Sequence, residues 1–168
     1  MNLKMIVCVS ENYAIGNKGD LLFSLPPDMK FFRETTLNKT VIMGRATLDS
    51  FPGGRPLKNR TNIVLSRNKN FEREGVLVFD SLEKVLDYVR ERDEDTFVIG
   101  GAEVYKMFEP YCSEALVTKV QKKAEADKFF FNIDEAPNWN LASESSVMEY
   151  EGLKFTFCKL KYMNRRYI

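Results

Sequence analysis

An aspartate just inside a helix start is the residue in this chain best placed to do chemistry. Asp28 stands in Leu25-Pro26-Pro27-Asp28-Met29-Lys30-Phe31-Phe32, where the prolines suit a first helical turn whose N–H groups lack partners. A carboxylate there is favourable through the helix dipole alone, and that plain reading stands level with a functional one. Phe32 and Thr35 follow four and seven residues later, so all three share one helix face. A carboxylate on a largely apolar face loses hydration, and its pKa rises. The chain has no histidine, which removes Ser-His-Asp and Cys-His catalysis and the commonest zinc sites. Acid–base work near neutral pH then falls to a perturbed carboxylate, cysteine or lysine, or to bound water.

Two glycine junctions come next. Thr40-Val41-Ile42-Met43-Gly44-Arg45-Ala46-Thr47 and Phe97-Val98-Ile99-Gly100-Gly101-Ala102-Glu103 each read as a strand turning into a helix at glycine. Such a turn points backbone N–H groups and the positive end of the helix outward together, which suits phosphate. For either junction alone, a glycine that merely permits the turn is the simpler reading, since neither is a Walker loop or a GxGxxG fingerprint. Two together, one with arginine and threonine behind the glycine, fit a pyrophosphate-bridged dinucleotide better. Leu65-Ser66-Arg67 ends another strand at the same edge and can meet a further phosphate, although a solvated arginine is the commoner case. Arg60, just before a strand, is by spacing alone a surface charge.

The elements that must position these residues are legible from patterning. Short apolar runs at Lys4–Val9, Thr40–Met43, Asn62–Ser66, Val76–Phe79, Thr96–Ile99 and Leu116–Val120 read as strands. Helices are predicted from Pro26, from Gly44-Arg45 to near Phe51, after a Ser81 cap with Leu82, Val85, Leu86 and Val89 on one face, and over Ala102–Phe108. Ser10–Ser24 and Pro52–Pro56 read as loops. Glu151-Gly152 sits between two strand-like stretches, the second Leu153–Tyr162, which predicts a hairpin. Alternating strands and helices imply an α/β fold, a mainly parallel central sheet with helices on both faces, with the C-terminal hairpin as an antiparallel addition.

Composition sets outer limits. The 168 residues predict a single domain over 1–168. The 25 basic and 24 acidic residues nearly cancel, which argues against a nucleic-acid or anionic membrane surface. No apolar run approaches a membrane span, and the N-terminus carries no small-residue cleavage site. Cys8, Cys112 and Cys158 are odd in number and form no CxxC pair, which reads as reduced thiols without a metal site. The expected location is the cytoplasm and the expected state a monomer.

Taken together, Ile15-Gly16, Leu25-Pro26-Pro27-Asp28, Val41–Thr47, Gly54-Arg55-Pro56-Leu57, Asn62–Ser66 and Val98–Tyr105 resemble the dihydrofolate reductases, in order and over nearly the whole chain. Thr118 and Asp127 also fall where that family has a threonine and an aspartate. The resemblance implies NADPH-dependent reduction of dihydrofolate to tetrahydrofolate, with antifolate inhibitors as further ligands. It makes Asp28, Thr118 and Phe23 the catalytic group, Asp28 binding the 2-amino group and ring N–H of the pterin with Thr118 behind it. Carbonyls of Ile6 and Ile99 line the far side of the pterin. Phe32, Ser50, Phe51 and Leu57 wall the p-aminobenzoyl slot, and Arg60 clamps the glutamate α-carboxylate. The implied cofactor site runs through Val7 and Cys8 beside the nicotinamide, Ile15, Gly16, Leu21 and Leu22 in a closing loop, Gly44, Arg45, Ala46 and Thr47, then Leu65, Ser66 and Arg67. It ends in Ile99, Gly100, Gly101, Ala102, Glu103, Val104 and Tyr105, where the family has a cis peptide between the glycines.

Five positions depart from the family pattern. Leu22-Phe23 stands for the usual Pro-Trp, losing an indole donor near the substrate; Ala46 replaces a more polar residue; Ala102 replaces a third glycine; Cys8 replaces a common alanine. Two rivals remain: a pteridine or pyrimidine reductase of the same fold, and a non-catalytic nucleotide- or folate-binding module.

Overall fold

The computed structural model describes residues 2–163. Its elements run β1 (Asn2–Val9), β2 (Ala14–Gly16), α1 (Pro26–Thr36), β3 (Thr40–Gly44), α2 (Arg45–Ser50), β4 (Thr61–Leu65), β5 (Val76–Phe79), α3 (Leu82–Arg90), β6 (Asp95–Gly100), α4 (Ala102–Phe108), β7 (Glu114–Val120), β8 (Lys128–Phe129), β9 (Trp139–Glu144), β10 (Met148–Tyr150) and β11 (Leu153–Tyr162). The main sheet has the order β10-β11-β7-β1-β6-β3-β4-β5, with β9 also paired to β11. From β7 to β5 every pairing is parallel, and β11 joins β7 antiparallel. The carboxyl ends of β1, β3, β4, β6 and β7 therefore lie at one edge, the edge where ligands bind in open parallel sheets.

Both faces of this sheet are covered, which is why its strands read as continuous apolar runs. In β1, Leu3, Met5, Val7 and Val9 pack with Val85, Leu86 and Val89 of α3 and Val104, Tyr105 and Phe108 of α4. Ile6 points the other way, into a cluster with Val41, Met43, Leu48 and Phe97 that also takes Phe31 and Phe32 of α1. Alternate residues of one strand thus serve two cores. The Ser81 hydroxyl caps α3 by accepting from the Lys84 N–H. No helix among the described residues is long and apolar enough to cross a membrane.

Three strands escape patterning. Ala14–Gly16 falls inside the expected loop and pairs with Lys128–Phe129 in a sheet of its own, too short for a period to register. Trp139–Glu144 pairs with β11 across a bulge, yet only Trp139 is buried, so its sequence looks like loop. The expected terminal hairpin is accordingly a three-stranded antiparallel flank with β11 in its interior.

Phe108 is fully buried where α4 meets the sheet. Phe108→Ala is expected to cost about 3–5 kcal/mol of stability, read as a lower urea midpoint at unchanged slope. A loss below about 1 kcal/mol would mean that α4 collapses into the cavity and that its packing does not hold the Gly100-Gly101 turn in place.

Candidate active site

Helix α1 starts where Leu25, itself buried, accepts from the N–H groups of Asp28 and Met29. That start aims the Asp28 side chain at β7, where the Thr118 hydroxyl donates to Asp28 Oδ1 at 2.6 Å. Thr118 stands opposite Cys8 of β1 and Phe157 of β11, so the three side chains form a row on the sheet face beneath α1. The Phe31 ring closes over it, 4.6 Å from that of Phe157.

Burial raises the Asp28 pKa above the ordinary aspartate value, and hydrogen bonds from Thr118 and the Cys8 thiol partly oppose the shift. Cys8 is pushed up in turn, by burial first and then by the Asp28 charge. The thiol form of Cys8 is thereby favoured over the thiolate. This contact between Cys8 and Asp28 is absent from the sequence reading, which set Cys8 beside the nicotinamide; parallel register between β1 and β7 creates it, and register is not legible in one sequence.

An apolar cluster adjoins this row. Ile6, Phe32, Phe51, Leu57 and Ile99 belong to the cluster around Met43 and Leu48. The Ile6 carbonyl accepts from Tyr105 Oη at 2.7 Å. Ser50, expected in the wall, is exposed and donates to the Thr47 carbonyl of its own helix at 2.6 Å. Arg60 reaches the edge of this cluster, its guanidinium 6.0 Å from the Phe32 ring centre. Its Nε donates to Thr36 Oγ1 at 3.0 Å, and its terminal nitrogens donate to the carbonyls of Lys58 and Arg33. Burial, then the charge of Arg33, lower its pKa.

Arg60 is therefore a held side chain, not the free surface charge that spacing alone suggests. Asn62, read in the sequence only as the start of a strand, anchors the loop that carries it. The Asn62 amide accepts from the Leu57 N–H at 3.0 Å and donates to the carbonyls of Leu57 and Arg60 at 2.9 and 3.1 Å. An asparagine at the head of an apolar strand run was the available signal.

The two glycine junctions meet at the carboxyl edge. Gly44 and Gly101 occupy the N-cap positions of α2 and α4, and no side chain caps either helix. The Gly100-Gly101 peptide is cis. A Cβ on Gly100 would stand 3.4 Å from Thr47 Oγ1, and one on Gly44 would stand 3.2 Å from Val104 Cγ2. Side chains at these positions would fill the cradle between the helix starts, whose N–H groups stay turned outward. Arg45, Ala46 and Glu103 are exposed at its rim, and Ser66 and Arg67 follow the end of β4 beside it. Such a cradle fits a diphosphate.

A loop borders the row on its other side. Ile15 and Gly16 lie in β2, Leu21 is exposed, and Phe23 packs with Cys8 against Leu25, Val120 and Phe155. Asp127 ties the loop down: its N–H donates to the Gly16 carbonyl, and its Oδ2 accepts from the Lys18 N–H, both at 3.1 Å. A cleft of about 440 Å³ separates Leu22 and Phe23 from Lys122–Glu125.

A family model described as dihydrofolate reductase matches residues 2–163. The chain belongs to the dihydrofolate reductase family. It is 42% identical over 130 residues to the dihydrofolate reductase of Haemophilus influenzae, covering 77% of this chain and 79% of that protein. With the dihydrofolate reductase of Bacillus subtilis the identity is 37% over 160 residues, 91% of this chain and 93% of the relative. A solved dihydrofolate reductase from Enterococcus faecalis, complexed with NADP(H) and RAB-propyl, superposes with a TM-score of 0.89 at 34% identity, covering 96% of both chains. As a family member the protein is an oxidoreductase, and the α/β fold read from its sequence is the fold of that neighbour.

Asp28 binds its proton more tightly in the folded protein than in the unfolded chain. Its cost to stability is absent below the ordinary aspartate value of about 4 and grows as pH rises through the raised folded value. Asp28→Asn removes that cost. Its thermal midpoint at neutral pH is expected to equal or exceed that of the parent, with the gap closing at acid pH. A clear fall at neutral pH would show that Asp28 stabilises the helix start and bears no burial penalty.

Proposed function

We propose that this chain reduces 7,8-dihydrofolate to 5,6,7,8-tetrahydrofolate with NADPH, acting as one domain and as a monomer. The observation that carries the reading is the Asp28 carboxylate, partly buried and paired with Thr118 at 2.6 Å, on the helix that also carries Phe32 of the apolar cluster and the Thr36 that holds Arg60. A flat heterocycle with an amino group and ring N–H beside each other can donate twice to such a carboxylate. An aromatic ring suits the walls of Phe32, Phe51 and Leu57. A terminal carboxylate suits Arg60, whose fork matches it with two parallel contacts. A pyrimidine substrate without such a carboxylate would draw nothing from that arginine.

Asp28 holds the pterin and, through its charge, favours the protonated ring. Thr118, donating from below, fixes which carboxylate oxygen faces the substrate. The carbonyls of Ile6 and Ile99 bound the opposite side, with Ile6 held by Tyr105. NADPH, when bound, supplies the hydride to the pterin carbon beside the nitrogen that takes a proton. Gly44, Arg45 and Thr47 with Gly100, Gly101 and Ala102 hold its diphosphate, while Ser66, Arg67 and Arg45 take the adenosine end and its 2′-phosphate. Val7, Cys8, Ile15, Gly16, Leu21 and Leu22 border the nicotinamide and keep bulk water from the meeting rings. The proton arrives through solvent water, since Asp28 grips the other part of the ring. Phe23 packs at this entry as an apolar wall and donates nothing to that water. Antifolates that carry the same donor pair compete for Asp28.

NADPH oxidation followed by absorbance, with dihydrofolate as acceptor, tests the reading directly. Asp28→Asn is expected to fold yet turn over about two to four orders of magnitude more slowly at neutral pH. The deficit shrinks at acid pH, where solvent supplies the proton. Near-normal neutral turnover in the variant would leave Asp28 a helix-start residue and sink the assignment.

Arg60→Ala is expected to raise KM for dihydrofolate far more than it lowers kcat, because the tail contact is equal in ground and transition states. A substrate analogue without glutamate should not register the change. Equal losses on both substrates would mean that Arg60 acts only through Thr36 and the loop.

A further inference from the structure

Two arginines, one aspartate and one aromatic ring form a cluster at the rim of the cradle. Arg45, the first residue of α2, has Nε 3.6 Å from Asp49 Oδ2 one turn later, and its guanidinium lies 4.4 Å over the Phe71 ring. Arg73 comes from the loop before β5. Its Nη2 donates to Asp49 Oδ1 at 2.9 Å, its Nη1 donates to the Gly54 carbonyl, and its guanidinium lies 5.3 Å from the same ring. Phe71 is buried beneath both. A Cβ on Gly54 would stand 2.7 Å from Arg73 Nη1, so this part of the Gly54-Arg55-Pro56-Leu57 motif leaves room for the arginine.

The two contacts on Asp49 are unequal. At 2.9 Å Arg73 makes a charge-assisted hydrogen bond; at 3.6 Å Arg45 makes only a loose ion pair. Two cations share one carboxylate, which leaves one positive charge over. Were Arg73 absent, Asp49 would have a single cationic partner, and an i,i+4 aspartate is well placed to bind it. An incoming phosphate would then have to break that pair.

We infer that Arg73 is a positioning residue for the dinucleotide: by occupying Asp49 it leaves the donors of Arg45, stacked on Phe71, free for the 2′-phosphate. The inference rests on the proposed placing of that phosphate at Arg45. The charged groups facing the phosphate position are then Arg45 and Arg67, with Asp49 turned to Arg73. The cluster thus selects for a cofactor that carries the extra phosphate.

Calorimetric titration of NADPH and NADH into the substrate-free protein tests this without turnover. Arg73→Ala is expected to weaken NADPH binding by about two- to fivefold, the reach of an exposed ion pair, and to leave NADH within experimental error. Arg73→Ala combined with Asp49→Asn should return NADPH affinity to the parental level, because the competing carboxylate is gone. Arg73→Lys should fall between, since one ammonium cannot reach both Asp49 and Gly54 in the same way. Failure of Asp49→Asn to rescue would show that Arg73 meets the phosphate itself or only supports the loop, and would overturn the inference. Equal weakening of NADPH and NADH would overturn it too. Arg45→Ala separates the two layers. If it abolishes the preference for NADPH while Arg73→Ala is silent, only this inference fails. If the preference survives Arg45→Ala, the placing of the phosphate fails, and the inference with it.

Discussion

A carboxylate drawn partly out of water and held by one hydroxyl at 2.6 Å sets demands that much of this fold meets. Thr118 must stand on an interior strand, so that its hydroxyl has no water to bond instead, and it is almost fully buried there between β1 and β11. Asp28 must arrive from a helix start whose direction is fixed, and Leu25 fixes it by being buried as the cap residue. The price is a raised pKa. Cys8 and Thr118 limit that shift by donating to the charged form. On the proposed reading the remaining capacity of the carboxylate is what the substrate uses.

The cations around the site are handled differently. Among the described residues Arg60 has no acidic partner; it is held by the Thr36 hydroxyl and two backbone carbonyls, so its charge is not cancelled. Asn62 repeats the device one step back, spending its amide on the backbone of Leu57 and Arg60. Neutral acceptors orient an arginine without consuming it, whereas a carboxylate does both. At Asp49 an acid does sit close to the rim arginines, and there two of them share it.

Much of this was legible in the sequence where one local rule decided the outcome. Val76–Phe79 and Ala102–Phe108 occupy the spans expected of them, and Ser81 caps α3, because apolar runs and capping chemistry act over a few residues. Asp28 and its raised pKa were readable from helix spacing, and the partnership with Thr118 from family resemblance. What stayed hidden depends on residues far apart in the chain. The Cys8 thiol meets Asp28 only because β1 and β7 pair in one register. Arg73 meets Asp49 only because the loop before β5 folds back over α2. Trp139–Glu144 is a strand because β11 offers it a free side, not because its own residues alternate. Ser50 belongs to an expected wall by position, yet its hydroxyl bonds within its own helix.

The interior place of β11 has a consequence for synthesis. Thr118 lies on β7, one side of which pairs with β1 and the other with residues Phe155–Lys161 of β11. A growing chain can assemble β1 through β7 early, but the outer side of β7 then presents bare N–H and C=O groups until some forty more residues have emerged. During that interval the strand that supports Asp28 is a sheet edge with an apolar face, open to pairing with a neighbouring nascent chain. A ribosome stalled or terminated before Leu153 would leave a product with nearly every residue of the candidate site and no lasting cover for it. In such a product the weak point is association through β7.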